Sequence, residues 1–323
     1  MHKKVIGIDI SKRTFDVAFL ECEKWRYYSF ANDPKGFKSL LKLLGLEDHC
    51  VMEASGPYYL QLAEFLYKHN IRVSVVNPLV IKRFSQMRLV RAKTDKKDAQ
   101  LIANYGLKEQ PKLWAPTGEI TRKMLQINTF LDSIQKHRTA VSNQKGAFES
   151  SGMVDEQLKR SLKSILKRLD DEQSKLEAQL TALVNEYYRE GYERITSIPG
   201  IGPKGAVMLI ALTDNFRKFS NYKQLIAYVG FSPRIYQSGT SVKGKGHICK
   251  MGKSQARKIL YMCTLSAKRY NKACTEMHAR LEAKGKPERV IKIALANKLL
   301  KQAFAIAKSE SKYERNYVPK PCF

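Results

Sequence analysis

The chain has 323 residues, which is enough for two domains of ordinary size. It contains 58 Lys and Arg against 30 Asp and Glu, so its formal net charge is +28 and a polyanionic partner is expected. Nucleic acid is the first candidate, because Lys and Arg bind phosphates independently of sequence. An anionic membrane surface is the rival partner, but the sequence shows no lipid motif and no apolar run of about 18 residues. An apolar fraction of 43% argues against wholesale disorder.

Strands and helices alternate in the first third of the chain. Apolar or alternating runs predict strands at residues 5–10, 14–20, 24–30, 49–53 and 71–76. A helix is predicted to begin at Pro34, a second to follow Ser55-Gly56-Pro57 and run to about Asn70, and a third to span residues 94–107. This order predicts a mixed α/β sheet.

Residues 119–190 have a different character. Leu158, Leu162, Ile165 and Leu169 follow 4-3-4 spacing among mostly charged neighbours, which predicts a long amphipathic helix of the coiled-coil kind. Ser151-Gly152 is the expected break between two antiparallel arms. Pairing with a second subunit and packing within one subunit both remain open.

The C-terminal part is predicted to contain short helices joined by Gly-rich turns. Residues 234–301 contain 17 Lys and Arg but only three acids, so the positive charge is concentrated there and indicates a binding surface. Residues 311–323 are polar and Pro-punctuated, as is typical of a loose tail. The cysteines form no Cys-x-x-Cys pair and predict no structural zinc site.

Four acids are unusual in their placement. Asp9 lies inside an apolar strand, where a carboxylate is costly unless it has a partner or a task, and Glu53 ends another such strand. Asp95 and Asp98 lie on one face of a helix that Thr94 would cap. Four carboxylates can hold one or two Mg²⁺ or Mn²⁺ ions for phosphoryl transfer. Each acid alone also has a structural explanation, as a partner of the helix dipole or as a buried paired residue.

Two C-terminal segments have the composition of phosphate-binding loops. Pro-Gly-Ile-Gly at residues 199–202 is typical of a helix-hairpin-helix turn, in which Gly200 and Gly202 let backbone N–H groups approach a phosphate and Lys204 adds a charge. A tight interhelical turn without a ligand is the alternative. Residues 230–252 combine glycines, hydroxyls and cations, and we predict nucleic-acid contacts from Arg234, Gly239, Ser241, Lys243, Lys245, Lys250, Lys253 and Arg257.

A serine in the second loop can act as a nucleophile on phosphorus, with neighbouring cations stabilising the developing charge. Ser238 and Ser241 are equal candidates on these grounds, and a phosphate-gripping loop without a nucleophile remains the alternative.

The order of these motifs resembles a known family. An Asp on the first strand, a Glu on the fourth and acids on a late helix resemble the ribonuclease H-like fold of the RuvC-type junction resolvases. The strings GIDIS, MEASG and KTDKKDA over residues 7–99 look more narrowly like the DEDD transposases of the insertion-sequence one-ten family, relatives of the Piv-type DNA invertases. Tyr-x-Ser-Gly followed by Lys-x-Gly resembles their C-terminal domain, although Cys249 and Ala256 replace a commoner hydroxyl residue and a commoner leucine.

The resemblance implies three parts and a tail. These are a RuvC-like catalytic domain (1–118), a helical coiled-coil segment (119–190), a mainly α transposase domain with a helix-hairpin-helix and a catalytic serine (191–310), and the tail (311–323). It assigns the nucleophile to Ser238, which would share a composite Mg²⁺ site with Asp9, Glu53, Asp95 and Asp98 across subunits of a homodimer or homotetramer. It also implies a structured guide RNA, the bridge RNA, besides DNA of the element ends and target.

We therefore expect a transposase or recombinase that cuts and rejoins DNA. The alternatives are a RuvC-like metal-dependent nuclease, a site-specific DNA invertase, and a nucleic-acid-binding protein without catalysis. The N-terminus lacks the apolar core of a secretory signal, so the expected location is the bacterial or archaeal cytoplasm, on the nucleoid when bound, with no membrane partner.

Overall fold

A computed structural model describes residues 4–89, 94–238, 242–243 and 246–315, without the side chains of residues 237–238 and 242–243. The chain divides into two compact units, Met1–Thr117 and Gly118–Phe323. The predicted boundary at residue 190 falls inside a helix of the second unit, so the functional division into 119–190 and 191–310 stays a prediction.

The first unit is built on one mixed sheet. Its strands are β1 (Val5–Ile10), β2 (Thr14–Glu21), β3 (Lys24–Ala31), β4 (His49–Glu53) and β5 (Arg72–Val76). The order is β3-β2-β1-β4-β5, in which β1, β2 and β3 are antiparallel neighbours and β4 pairs in parallel with both β1 and β5. The predicted mixed α/β sheet is confirmed. Its assignment as a ribonuclease H-like domain stays a prediction.

Four helices accompany the sheet: α1 (Pro34–Leu41), α2 (Leu60–Lys68), α3 (Pro78–Met87) and α4 (Asp95–Glu109). Helix α3 is not among the predicted helices, because an Asn-Pro pair after an apolar strand also fits a simple strand end. The same dipeptide also starts a helix. The Asn77 side chain accepts a hydrogen bond from the Leu79 N–H at 2.9 Å, and Pro78 occupies the first turn, where its missing N–H costs nothing.

Helix α4 packs closely on the first strand. A Cβ placed on Gly7 would lie 2.1 Å from the Ala99 carbonyl oxygen and 2.3 Å from the Ala103 nitrogen. Only glycine permits this approach of helix to strand. Gly7 therefore fixes the distance between the Asp9 strand and the helix that carries Asp95 and Asp98.

The second unit is almost entirely helical. Its helices are α5 (Glu119–Ser150), α6 (Glu156–Thr196), α7 (Pro203–Thr213), α8 (Tyr222–Val229), α9 (Ser254–Tyr270), α10 (Lys272–Glu282) and α11 (Glu288–Ser309). Helices α5 and α6 form the predicted antiparallel hairpin, with Gly152 at a positive φ of 83° in the turn. Helix α6 runs six residues beyond the predicted end, past a kink at Tyr188.

A short β arm interrupts the helices between α8 and α9. Strand β6 (Pro233–Arg234) pairs with β9 (His247–Ile248), and β7 (Gln237–Ser238) pairs with β8 (Val242–Lys243), both antiparallel. The described parts of the predicted Gly- and Lys-rich loop therefore form two short antiparallel strand pairs. Ser238 is opposite Val242 in its register.

Candidate functional site

The register of the sheet brings acidic residues to one face. Asp9 on β1 is directly opposite Asp16 on β2. On the other side of β1, Ile8 is paired with Met52 of the parallel strand β4. The next residues along these two strands, Asp9 and Glu53, are therefore also neighbours. Residues two apart on a strand share a face, so Asp9 is on the same face as Gly7, which α4 covers.

The start of α4 supplies two further acids to this face. As predicted, Thr94 caps the helix: its hydroxyl accepts a hydrogen bond from the Lys97 N–H at 3.3 Å. Asp95 is exposed and Asp98 is partly buried. At the end of β4, the Ser55 hydroxyl donates to a Glu53 carboxylate oxygen at 3.2 Å, which holds that carboxylate in place.

The electrostatics of Asp9 show that these acids interact. Burial, followed by the negative charges of Asp98, Glu53, Asp95 and Asp16, raises the pKa of Asp9 from 3.8 to about 6. A carboxyl group surrounded by other carboxylates resists ionisation because like charges repel. Three of the predicted acids, Glu53, Asp95 and Asp98, therefore act on the fourth, Asp9, together with Asp16.

Whether a metal fits depends on the chemistry of these donors. Carboxylate oxygens are the preferred ligands of Mg²⁺ and Mn²⁺, and a cation would relieve the repulsion around Asp9. Among the residues described, no three His, Cys, Asp or Glu side chains are placed closely enough to form a ready metal site. The donor set fits a divalent metal, and the site itself stays a prediction.

The sequence analysis missed two members of this neighbourhood, Asp16 and Tyr27. Asp16 is only 8% exposed, and its carboxylate accepts a short hydrogen bond from the Tyr27 hydroxyl. That bond, assisted by burial and by the nearby acids, raises the pKa of Tyr27 to about 12. The signal was available, because the tight turn after Ile10 makes a hairpin whose register sets Asp16 opposite Asp9.

The Pro-Gly-Ile-Gly segment connects α6 to α7. Gly200 has a φ of 103°, and a Cβ there would lie 2.5 Å from the Cβ of Ala267, so close packing on α9 explains this glycine without a ligand. Gly202 is the N-cap of α7, and the space where its Cβ would be is open. The Lys204 ammonium lies 2.7 Å from a Glu177 carboxylate oxygen, so part of its charge is already compensated.

Of the nucleic-acid contacts predicted in and after the β arm, four have described side chains. Arg234, Lys250 and Lys253 are exposed, whereas the Arg257 guanidinium donates to the Val229 carbonyl at 2.7 Å and supports the end of α8. Gly239, Ser241 and Lys245 lie outside the described residues. For Ser238 and Lys243 only the backbone pairing is described.

Every helix in the described part of the chain is too short or too polar to cross a bilayer.

Both units match transposase families. Residues 6–148 match a DEDD family described as "Transposase", and residues 192–279 match one described as "Transposase IS116/IS110/IS902 family". The pilin gene-inverting protein of Moraxella lacunata is 30% identical over 98% of this chain and 99% of its own length. The transposase for insertion sequence element IS1111A of Coxiella burnetii is 23% identical over 91% of this chain and 87% of its own length.

One solved structure also resembles part of the chain. It is described as T. thermophilus RuvC in complex with Holliday junction substrate, with 13% sequence identity and a TM-score of 0.27, and it covers 35% of this chain and all of that one.

Proposed function

The chain belongs to the IS116/IS110/IS902 family of transposases and is a DNA transposase or recombinase, and we propose that it works through a phosphoserine at Ser238 under the direction of a guide RNA. The observation that supports the proposal is the sheet register that sets Asp9 beside Glu53, with the start of α4 packed on the same strand, in a chain that matches this family. An enzyme that cuts and rejoins DNA needs a centre that activates the phosphate. It also needs a covalent link to the cut strand, which keeps the energy of the phosphodiester bond for rejoining.

Ser238 would form the covalent link to the cut DNA strand. Its hydroxyl group gives up its proton to solvent and the oxygen attacks the scissile phosphorus, so that a P–O(Ser) bond forms and the P–O(sugar) bond breaks. The sugar oxygen takes up a proton from solvent and leaves as a hydroxyl group. Attack by a hydroxyl group of the other strand then reverses these steps and frees the serine. The position of Ser238 in a narrow arm supports this role, because a two-stranded arm can present a residue to a duplex.

The four carboxylates would hold Mg²⁺ or Mn²⁺. When bound, the metal supplies a positive charge that polarises the phosphate and stabilises the charge of the transition state. Gly7 and the Thr94 cap position the acids, and Ser55 orients Glu53. The basic residues Lys96 and Lys97, on the same helix turn as Asp95, would guide a phosphate backbone toward the acids.

A guide RNA and a multi-subunit assembly complete the proposal, on the strength of the family resemblance and of the charge. Half of the net charge lies in residues 234–301, which suits a long polyanion. On the outer half of the helical hairpin, Leu158 and Ile165 are 40% and 46% exposed, so their apolar stripe is only partly covered within one chain. A second subunit would cover it, and the chain would act in the cytoplasm as a dimer or tetramer on DNA.

A specific observation favours DNA inversion as a second candidate. The Moraxella relative, which matches almost end to end, is named for inverting a pilin gene. The two reactions use the same bond chemistry and differ in the arrangement of the recombining sites. A substrate with two inverted sites on one molecule tests inversion, and a substrate with sites on separate molecules tests insertion.

The affinity of the protein for nucleic acid should depend on the cations of the β arm. Replacing Lys243, Lys245 and Lys250 together with alanine removes three predicted phosphate contacts, so the slope of log K against log salt should flatten by about two to three. Filter binding between about 50 and 300 mM salt measures this slope. Lys163→Ala, on the exposed outer arm of α6, is the control and should leave the slope unchanged. An unchanged slope in the triple variant would place the binding surface elsewhere.

The proposed function is tested by trapping the covalent intermediate. Full-length protein is incubated with Mg²⁺, labelled DNA of an element end, and a transcript of the flanking non-coding DNA, and is then denatured. A labelled protein–DNA band should form only when the transcript is present. Cutting without a covalent band would indicate a metal-dependent nuclease, and a band without the transcript would exclude guidance by that RNA.

A further inference from the structure

Tyr27 is on the same face of the sheet as the carboxylates. The register sets Tyr27 on β3 opposite Ala18, and Ala18 opposite Gly7, in the row next to that of Asp16 and Asp9. Alternation along the strands therefore gives Gly7, Asp9, Asp16 and Tyr27 a common face. Strand β3 is an edge of the sheet, so this face continues from the acids to the border of the unit.

The Tyr27 side chain is fixed at one end and open at the other. Its hydroxyl donates to Asp16, which limits rotation of the ring, yet the residue remains 36% exposed. The Lys96 ammonium lies 5.7 Å from the ring centroid, within the range of a cation–π contact. Because Lys96 immediately follows Asp95, an aromatic ring and a positive charge meet at the rim of the carboxylate cluster.

The neighbouring Tyr28 shows that this arrangement is particular to Tyr27. Tyr28 has the same exposure of 36% but points to the opposite face. There its ring stacks between Phe19 and Phe30, with centroid distances of 6.0 and 6.1 Å. Packing explains Tyr28. Tyr27 differs, because its hydroxyl contacts the buried Asp16 while its ring is exposed beside the Lys96 ammonium.

We propose that Tyr27 positions the DNA strand at the carboxylate cluster, its ring stacking on a nucleotide next to the scissile phosphate while Lys96 contacts a neighbouring phosphate. Aromatic rings stack on any base, which suits an enzyme that must accept different strands at one site. The hydrogen bond to Asp16 holds the ring ready for this contact. The inference rests on the proposed function, because it takes the carboxylates as the place where DNA is cut.

The test measures stacking directly. Element-end DNA carries 2-aminopurine, a base whose fluorescence falls when it stacks, next to the cut site, and is bound with guide RNA by full-length protein carrying Ser238→Ala so that the strand stays intact. In this background Tyr27→Leu should abolish the quenching and weaken DNA binding about tenfold. Tyr27→Phe keeps the ring but loses the hydrogen bond to Asp16, so it should keep most of the quenching. Tyr28→Leu should keep all of it because Tyr28 faces away.

A folded Tyr27→Leu protein that quenches like its parent would overturn the proposal, as would equal loss in Tyr27→Phe or in Tyr28→Leu. If Tyr27→Leu does not fold, Lys96→Gln decides: the salt slope of DNA binding should fall by about one, and an unchanged slope would overturn the phosphate contact. Failure of the proposed function is distinguishable, because the wild-type protein would then form no covalent DNA adduct in the presence of the transcript.

Discussion

Replacing Ser238 with alanine should abolish strand exchange and the covalent DNA adduct, with a loss of at least about a thousandfold in rate. Removing a nucleophile leaves only the stabilisation supplied by the rest of the site, and losses of this size or larger are typical. Gel analysis of exchange products and denatured protein–DNA complexes measures both quantities. Binding of DNA and of the guide RNA should persist, since the change removes one oxygen atom from an arm whose grip depends on its cations.

Ser241→Ala is the matched control, because the two serines lie three residues apart in the same arm sequence. Its effect should be no more than a fewfold. Near-normal exchange by Ser238→Ala would rule out the serine mechanism and leave the metal-dependent nuclease. Loss of activity in Ser241→Ala alone would move the nucleophile to that residue.

Asp9→Asn should inactivate the protein and yet stabilise it in the absence of metal. The pKa of Asp9 is raised from 3.8 to about 6, so between these pH values the folded chain binds a proton that the unfolded chain has released. The free energy of unfolding of the wild-type protein therefore falls as pH rises through this window and stays lower above it. A shift of about two pKa units corresponds to about 3 kcal/mol, and partial exposure of Asp9 reduces this to roughly 1–2 kcal/mol at pH 7.

Denaturant unfolding of the two proteins at pH values from about 3.5 to 8 measures this difference. The variant should be the more stable protein at pH 7, and the difference should vanish near pH 4. With saturating Mg²⁺ or Mn²⁺ the wild-type protein should become more stable than Asp9→Asn, because only the wild-type protein binds the metal. A ligand at a hundredfold its Kd stabilises the protein that binds it by about 2.7 kcal/mol. Asp171→Asn, an exposed acid on α6, is the control and should show neither effect. Equal stabilisation of both proteins by metal would remove Asp9 from the metal site.

The strands of the first unit could be predicted because each shows a short apolar or alternating run between turn residues. Helix α3 could not, since one Asn-Pro pair both ends β5 and caps the helix, and the two uses look alike in sequence. Asp9 could be singled out because it is a charge inside an apolar strand, and Asp95 and Asp98 because their spacing puts them on one helix face. Tyr27 was not, because its role depends on strand register. Gly200 was predicted as a phosphate contact, whereas its conformation is also required by packing on Ala267, which only the folded chain reveals.

The central claim is that the serine and the carboxylates act together, and that two subunits share them. Mixing Ser238→Ala protein with Asp9→Asn protein, each inactive alone, tests it most directly. In a shared site, some mixed assemblies combine an intact serine from one subunit with intact carboxylates from another, so strand exchange should return to a measurable fraction of the wild-type rate. If every mixing ratio stays as inactive as the separate variants, while native mass spectrometry confirms mixed assemblies, the site is not shared between subunits and the account is contradicted.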